Sequence, residues 1–390
     1  ILGVITVIYD MLGGMAAVVL SDVIQMAILY LGIVLCLIYS VNLVGGFSEV
    51  LATFPQLKET VNNPNFMGLQ AVDFSGTGFD AGSTYGFWPM LFGGFFLYVS
   101  YYGTDQTQVQ RELSSKDLDD TNRALMLNGM LRFPLVLTYC VLGLSIGAYI
   151  VKNPDFLGLL TVDGKTEYNL AVPKFVTTVL PSGIKGLIMV ALFSAAMSSL
   201  DSTINSLSAT SIKDIYERFF SDGAIEEKKQ LLLSRMFTLF WGVVIVFFSF
   251  FVGNISDSII ESVNKVGSLA NGPILAMFLL GILTKSGNEK GAISGLVVGL
   301  MTNACLWLFV PHISWLWWNV IGFMVAFNVG VIVSNITGRT DKDLTGLVWH
   351  PHVAKVFDYA VNWPKRYAIM IAYSILMIGF CATLGLWAYS

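Results

Sequence analysis

Charge is what this sequence has least of. Asp, Glu, Lys and Arg together make up 12% of its 390 residues, against 55% hydrophobic ones. A soluble globule of that length needs more polar surface to cover itself. With a mean hydropathy of +0.69, the chain is therefore read as an integral membrane protein. Histidine is also scarce. His312, His350 and His352 are the full set of 3 and fall in or beside loops, which argues against a proton relay or metal centre built on histidine. The 4 cysteines, Cys36, Cys140, Cys305 and Cys381, lie inside apolar runs. Their spacing fits neither a metal site nor a disulfide framework, so they read as packing thiols. No basic domain is present, and a formal charge of -4 offers nothing to nucleic acid. The partner expected from composition is the lipid bilayer. The chain begins without Met, partway along an apolar run that lacks the basic flank of a signal peptide. It is accordingly expected to be a fragment or a trimmed chain, with no soluble domain after the last apolar run.

What is abundant is long apolar runs. A spanning helix needs about 20 such residues, and the candidates are residues 15–44, 86–103, 124–151, 183–212, 231–252, 259–283, 291–310, 313–336 and 367–389, preceded by a stub at 1–12. They are too long and too uniformly apolar for barrel strands, which alternate over about ten residues. The fold class is all-α, a polytopic membrane protein. Orientation follows from Lys and Arg, which stay cytoplasmic in short loops. Arg111, Lys116 and Arg123 mark one loop; Lys213, Arg218, Lys228 and Lys229 the next but one; Lys285 and Lys290 another; Arg339, Lys342, Lys355, Lys365 and Arg366 the last. The loops between them are sparse in basic residues, holding Lys58 in one and Lys152, Lys165 and Lys174 in another. This alternation leaves the C-terminus outside. Two longer external stretches, 47–85 and 152–182, are rich in Gly, Pro, Asn and Thr and read as ordered loops or short surface helices.

One apolar run is unusually polar within. "SAAMSSLDSTIN", 194–205, carries hydroxyls, a carboxylate and an amide. At about 100° per residue, Ser194, Ser198, Asp201 and Asn205 share a flank that Ala195, Ser199, Ser202 and Ser206 continue. Met197, Leu200, Ile204 and Leu207 take the opposite face. The polar half must face other helices or a water-filled path. The hydroxyls serve either close helix packing or a polar site, and Asp201 is either part of that site or a charge at the membrane interface. In the run 15–44, "LSDVIQM" places Ser21, Asp22 and Gln25 on one face. Asp22 lies about 10 Å in from the cytoplasmic side, and Ser198 and Ser199 about 22 Å down from the outside, so both fall in the inner half of the bilayer. Carbonyls, hydroxyls and one or two carboxylates are what a hard cation of sodium's size requires.

Four segments carry a resemblance to a known family: "YDMLGGMAAVVLSDVIQ" (9–25), "YYGTDQTQVQRELSSKD" (101–117), "ALFSAAMSSLDSTINSLSATSIKDIY" (191–216) and "NGPILAMFLLGILTKSGNEKGAISGLVVG" (271–299). In this order they resemble the sodium/solute symporter family, which carries sugars, inositol, monocarboxylates, sialic acid, proline and pantothenate. The resemblance implies a leucine-transporter-like inverted-repeat fold with core helices four to ten in this chain. It also implies that core helices one to three are missing, so that the chain alone would not transport. The division it implies is a core with its first peripheral helices at 1–336 and a cytoplasmic loop with the last peripheral helix at 337–390. The conserved sodium site, Na+ on a backbone carbonyl and two adjacent hydroxyls, maps to Ala195, Ser198 and Ser199; the helix-five aspartate tied to sodium coupling maps to Asp22. On the substrate side, Tyr101 is similar to an aromatic gate residue under a bound sugar. Arg132 stands where a relative has a sugar-contacting lysine, and an arginine there favours a carboxylate ligand or snorkels to the interface. Glu261, Asn264, Lys265, Asn271, Gly272 and Pro273 suggest a kinked gate in the run 259–283.

The function implied is sodium-coupled symport of a small organic solute, sugar or polyol on one hand or monocarboxylate or sialate on the other, in the plasma or inner membrane, with no covalent chemistry. A transporter-like membrane module of a sensor protein is the alternative. An intramembrane hydrolase would need a base beside a nucleophile such as Ser198, and the runs contain no His.

Overall fold

The computed structural model describes residues 2–53, 56, 72–80, 83–162, 164–221, 226–250, 259–338, 344, 347–349 and 361–388. Lys58, Arg339, Lys342, His350, His352 and Lys355 lie outside the described residues. The long helices are α1 (Leu2–Val44), α2 (Gly94–Thr104), α3 (Leu118–Lys152), α4 (Ser182–Thr210), α5 (Glu227–Ser249), α6 (Ile259–Leu283), α7 (Glu289–Phe309), α8 (Trp315–Thr337) and α9 (Trp363–Ala388). Among the described residues 8 helices are long and apolar enough to span a membrane, which makes the protein all-α and multi-pass. The β structure described is one hairpin pairing Thr161–Val162 with Lys165–Thr166, in the external stretch expected to hold loops and short helices.

Two expected spans differ in detail. The stub 1–12 and the run 15–44 join into the single helix α1. Gln25 nevertheless reaches the Tyr9 hydroxyl, which a straight helix would hold about 24 Å away. α1 therefore bends between them, and the sequence there offers Gly13-Gly14, the small-residue pair at which helices kink. The expected span 86–103 is composite: a π-helical turn, Pro89–Gly93, leads into α2. The run 259–283 is α6 as expected.

The chain divides into two compact units, residues 1–62 with 131–256, and 63–130 with 257–390. In the first, α1 packs against α4 and α5. Gly32 lies against Ala191, and Gly242 of α5 against Val7, with room for no extra carbon. The apolar centre gathers Cys36, Ile146, Phe156, Leu160, Phe175 and Ile188, all buried, so Cys36 is the packing thiol its sequence context suggested. The hydroxyls of Ser40 and Ser145 meet at 2.6 Å inside it. α1 ends where Gly45 and Gly46 take φ of 104 and 112, backbone that other residues adopt at a cost. The terminal carbonyl of Val44 receives the Lys152 ammonium at 2.7 Å, which supplies the partner that a helix end otherwise lacks.

Lys152 also bonds Glu49 Oε2 at 2.8 Å. That hydrogen bond, and then the charge, hold the Glu49 carboxyl below its ordinary value near 4.5. A carboxyl depressed on folding adds stability above its unfolded pKa and loses it as pH falls through the folded value. Glu49→Gln should therefore flatten the acid limb of thermal stability at and below about pH 4.5, by little because the pair is exposed. Melting curves of both proteins across acid pH check this; an unchanged acid limb would exclude Glu49 as a contributor.

In the second unit α6, α7 and α8 pack tightly through small residues. Cβ atoms added at Gly272, Gly291 and Gly295 would stand 2.2 Å from Asn319 O, 1.9 Å from Ser334 Oγ and 2.4 Å from Ala326 O. Pro273 cannot donate to the carbonyl of Leu269 one turn back, and Asn303 Nδ2 donates to it instead at 2.9 Å. Asn319 Nδ2 bonds Ser268 Oγ at 3.1 Å beside it, and Asn303, Asn319 and Ser268 are all fully buried. A second proline is served in the same way. Pro134 of α3 frees the carbonyl of Met130, and the Tyr373 hydroxyl of α9 donates to it at 2.9 Å. Asn288 caps α7 by accepting from Gly291 N at 2.9 Å, while its amide donates to Gly338 O at 2.8 Å at the end of α8. The α6 kink expected from sequence is thus a proline site whose freed carbonyl is satisfied by a neighbouring helix.

Candidate functional site

Helix α4 carries its polar residues inward, as the helical period requires. Ser194, Asp201, Ser202, Ser206 and Ser208 are buried, whereas Leu192 and Phe193 are exposed. Ile204, assigned to the opposite face, is buried as well, because α4 meets both α1 and α5. Most hydroxyls turn back on their own helix: Ser202 donates to Ser198 O at 2.7 Å, Ser206 to Ser202 O at 2.8 Å, Thr203 to Ser199 O at 2.8 Å. Such bonds satisfy a serine in lipid without any partner helix.

Ser198 is different. Its hydroxyl donates across to Asp22 Oδ1 on α1. The two sequence candidates are therefore in contact, a pairing that sequence alone left undecided. With its proton committed to Asp22, the Ser198 oxygen keeps its lone pairs free for a cation. Ser199 Oγ donates to Ala195 O at 3.2 Å, which brings those two oxygens together as well. Ser199 is exposed on that flank. The described chain thus offers a carbonyl, two hydroxyls and a nearby carboxylate on one side of α4. Oxygen donors of this kind suit a hard cation, and among the described residues no group of three His, Cys, Asp or Glu could hold a metal ion.

Asp201 is no interfacial charge. It is fully buried and accepts the Tyr9 hydroxyl of α1 and the Ser202 hydroxyl at 3.2 Å. Beside Tyr9, Asp10 is 5% exposed. Sequence reading passed over Tyr9 and Asp10, although a carboxylate in an apolar run is itself the signal that could have found them.

In the second unit the polar and aromatic groups gather around α2. Gln108 Nε2 donates to the Tyr101 hydroxyl at 2.8 Å, and Asn128 Nδ2 to the Tyr102 hydroxyl at 2.8 Å. A cavity of about 640 Å³ opens among Tyr85, Tyr98, Tyr102, Glu261, Asn264 and Trp315, with otherwise apolar walls. Tyr98 and Tyr102, neighbours of Tyr101 on α2, line it. Glu261 and Lys265 pair at 2.8 Å along α6. Arg132 is exposed on α3, within the first unit.

The sequence model of the sodium:solute symporter family matches residues 1–299. The chain belongs to that family. Among its symporter relatives, it is 27% identical over 339 residues to the sodium/sialic acid symporter NanT of Aliivibrio fischeri, covering 86% of this chain and 63% of that one. It is 30% identical to the sodium-dependent multivitamin transporter of Oryctolagus cuniculus, covering 77% of this chain and 44% of the relative. To the sodium/glucose cotransporter 1 of the same organism it is 28% identical, covering 90% and 57%. The chain thus spans about half to two thirds of the length of the curated relatives it matches. The solved structure of a Na+-coupled sialic acid symporter in a substrate-bound outward-open state shares its fold, with a TM-score of 0.68 at 24% identity, over 87% of this chain and 66% of that one. The expected leucine-transporter-like architecture is the symporter fold found.

Proposed function

We propose that the protein takes part in sodium-coupled symport of a small organic solute by alternating access, with Na+ as the coupling ion and no covalent chemistry. The observation that carries this reading is the oxygen set on α4, in which Ala195 O, Ser198 and Ser199 share a flank and Ser198 is bonded to Asp22. Sodium on these oxygens would favour one state of the bundle, and its inward movement would supply about 2.3 kcal/mol per charge per 100 mV. Residues 1–336 are proposed to form the transporter core with its first peripheral helices, and 337–390 a cytoplasmic loop and the last peripheral helix.

For the solute, sugar or polyol and monocarboxylate or sialate remain the two classes. The aromatic cavity with Glu261 and Asn264 at its wall supports a solute bearing hydroxyls, since ring faces suit a sugar face and the polar pair its hydroxyls. The names of the relatives, sialic acid and glucose carriers among them, support the same range. Tyr101 is retained as a gate residue and Arg132 as a contact for a carboxylate.

The test is uptake by the full-length protein in vesicles under an inward sodium gradient, or with potassium in its place, from a labelled panel of hexoses, inositol, monocarboxylates and sialate. Sodium-dependent uptake of one solute is expected. Ser199→Ala should raise the sodium concentration for half-maximal uptake several-fold, as loss of one hydroxyl ligand worth about 1 kcal/mol would. Uptake indifferent to sodium would overturn the reading.

A further inference from the structure

A second pocket lies where α2 ends. The loop after α2 carries Arg111, Lys116 and Arg123, the basic residues that assign it to the cytoplasmic side. Asp105 accepts from Thr107 N at 2.8 Å and so caps the short helix Gln106–Leu113. That helix and the first turns of α3 border a cavity of about 240 Å³, lined by Tyr102, Gln108, Arg111, Glu112, Thr121 and Asn128. Tyr102 borders the larger cavity as well. Two amides are fixed here by their nitrogens: Gln108 Nε2 donates to the Tyr101 hydroxyl and Asn128 Nδ2 to the Tyr102 hydroxyl, each at 2.8 Å. Their oxygens remain to accept. Glu112 is half-buried, and burial raises its carboxyl above the ordinary value near 4.5. The side-chain bond described at Glu112, from the Thr121 hydroxyl at 3.3 Å, goes to its backbone carbonyl.

We propose that this pocket is a second solute site, on the cytoplasmic side, and that it takes a neutral polyhydroxylated ligand, a sugar or polyol. A hydroxyl both donates and accepts, so a ligand rich in hydroxyls needs donors and acceptors interleaved around it. Gln108 Oε1, Asn128 Oδ1 and the Glu112 carboxyl supply acceptors, Arg111 brings N–H donors, and the Tyr102 ring offers a face to the C–H side of a sugar. Charge excludes the other classes. A monocarboxylate or sialate drawn to Arg111 meets Glu112 beside it, and a cation drawn to Glu112 meets Arg111. Size agrees, because about 240 Å³ falls below the roughly 300–1,000 Å³ of sites for drug-sized ligands and suits a single sugar ring. Since Tyr102 borders both cavities, a solute leaving the larger one along α2 reaches this site next. The inference rests on the symport reading for that source of the ligand; the class of ligand stands on the lining residues alone.

The experiment uses the full-length protein in inside-out membrane vesicles, which present the cytoplasmic face to added reagents. Ser115 also lines the pocket; Ser115→Cys is treated with a membrane-impermeant thiol reagent, and the wild type gives the background from the native cysteines. Glucose, myo-inositol and mannitol are the probes and lactate the control, all in sodium-free buffer. At ten times its Kd, at least one polyol is expected to slow the reaction of the introduced thiol by about tenfold, and lactate to leave it unchanged. Adding Glu112→Gln should raise the protecting polyol concentration by about tenfold, as loss of a charge-assisted hydrogen bond would. It should also let lactate protect, since Arg111 then faces no carboxylate, an effect that a purely structural role for Glu112 would not produce. Protection by none of the polyols, or by lactate equally, would overturn the proposal even if sodium-driven uptake of a solute is found. Sodium-driven uptake of the protecting polyol by right-side-out vesicles is expected in turn. Protection by a polyol that is not taken up would overturn the assignment to the solute released from the larger cavity and make the ligand a cytosolic one.

Discussion

Gly295→Val is expected to destabilise the protein by about 3 kcal/mol or more, enough to lower its melting temperature by several degrees and reduce its yield from membranes. The reason is what the new side chain meets. A Cβ at Gly295 would stand 2.4 Å from Ala326 O, with the Gly330 Cα at 3.3 Å behind it. These are backbone atoms of α8, and no rotamer change relieves the overlap. α7 and α8 would have to separate, and their contact is the most extensive between any two helices described. In lipid, helices associate through close approach and interhelical hydrogen bonds without a hydrophobic drive, so separation by even an ångström removes most of what holds them. The Asn288 bridge from the start of α7 to Gly338 O would be strained by the same movement. Gly143→Ala in α3 is the matched control: nothing lies within 4 Å of its added carbon, and alanine favours the helix by about 1 kcal/mol over glycine. Melting curves in detergent should separate the two variants clearly. A Gly295→Val protein that melts with the wild type would show that the α7–α8 contact yields without cost.

How far the sequence could reveal this molecule depends on the range of each signal. The run 259–283 became α6 residue for residue, because hydropathy and helix length are local properties. The inward flank of α4 was legible for the same reason, since Ser194, Asp201 and Ser202 recur with the helical period. Which residue on another helix each would meet was not legible. The Ser198–Asp22 bond joins residues 176 positions apart, and Tyr9 finds Asp201 over 192. The α1 bend was half visible: Gly13-Gly14 marked a break between two spans, but helical hydrogen bonding continued through it. Pro273 announced a kink in α6, yet its freed carbonyl needed Asn303 from α7, whose place in an otherwise ordinary apolar run carried no hint of that duty. Around the cavity the difference between Tyr101 and Tyr102 is one residue, or about 100° of helix rotation.

Asp22→Asn is expected to raise the sodium concentration for half-maximal uptake by about 100-fold while leaving the protein folded. At roughly 6 Å and an effective dielectric near 20, a carboxylate favours a cation by about 3 kcal/mol, and each 1.4 kcal/mol is about tenfold in affinity. Ser198→Ala should act nearly as strongly, for two reasons that belong together. It removes one ligand oxygen, and it strips Asp22 of the hydroxyl that now donates to it, a charge-assisted bond worth about 1.5–3 kcal/mol. Because each residue orients the other, the double variant should lose clearly less than the sum of the singles, by about 1 kcal/mol or more of coupling. The Asn variant also changes the sense of the bond, since an amide nitrogen in place of Oδ1 can donate to Ser198 and turn the serine proton toward the ion. Sodium titrations of uptake on the four proteins of the cycle measure this coupling. Additive losses would mean that Asp22 and Ser198 touch without cooperating, and that the carboxylate serves helix packing. A coupled pair would make Asp22 the residue through which α1 senses whether α4 holds its ion.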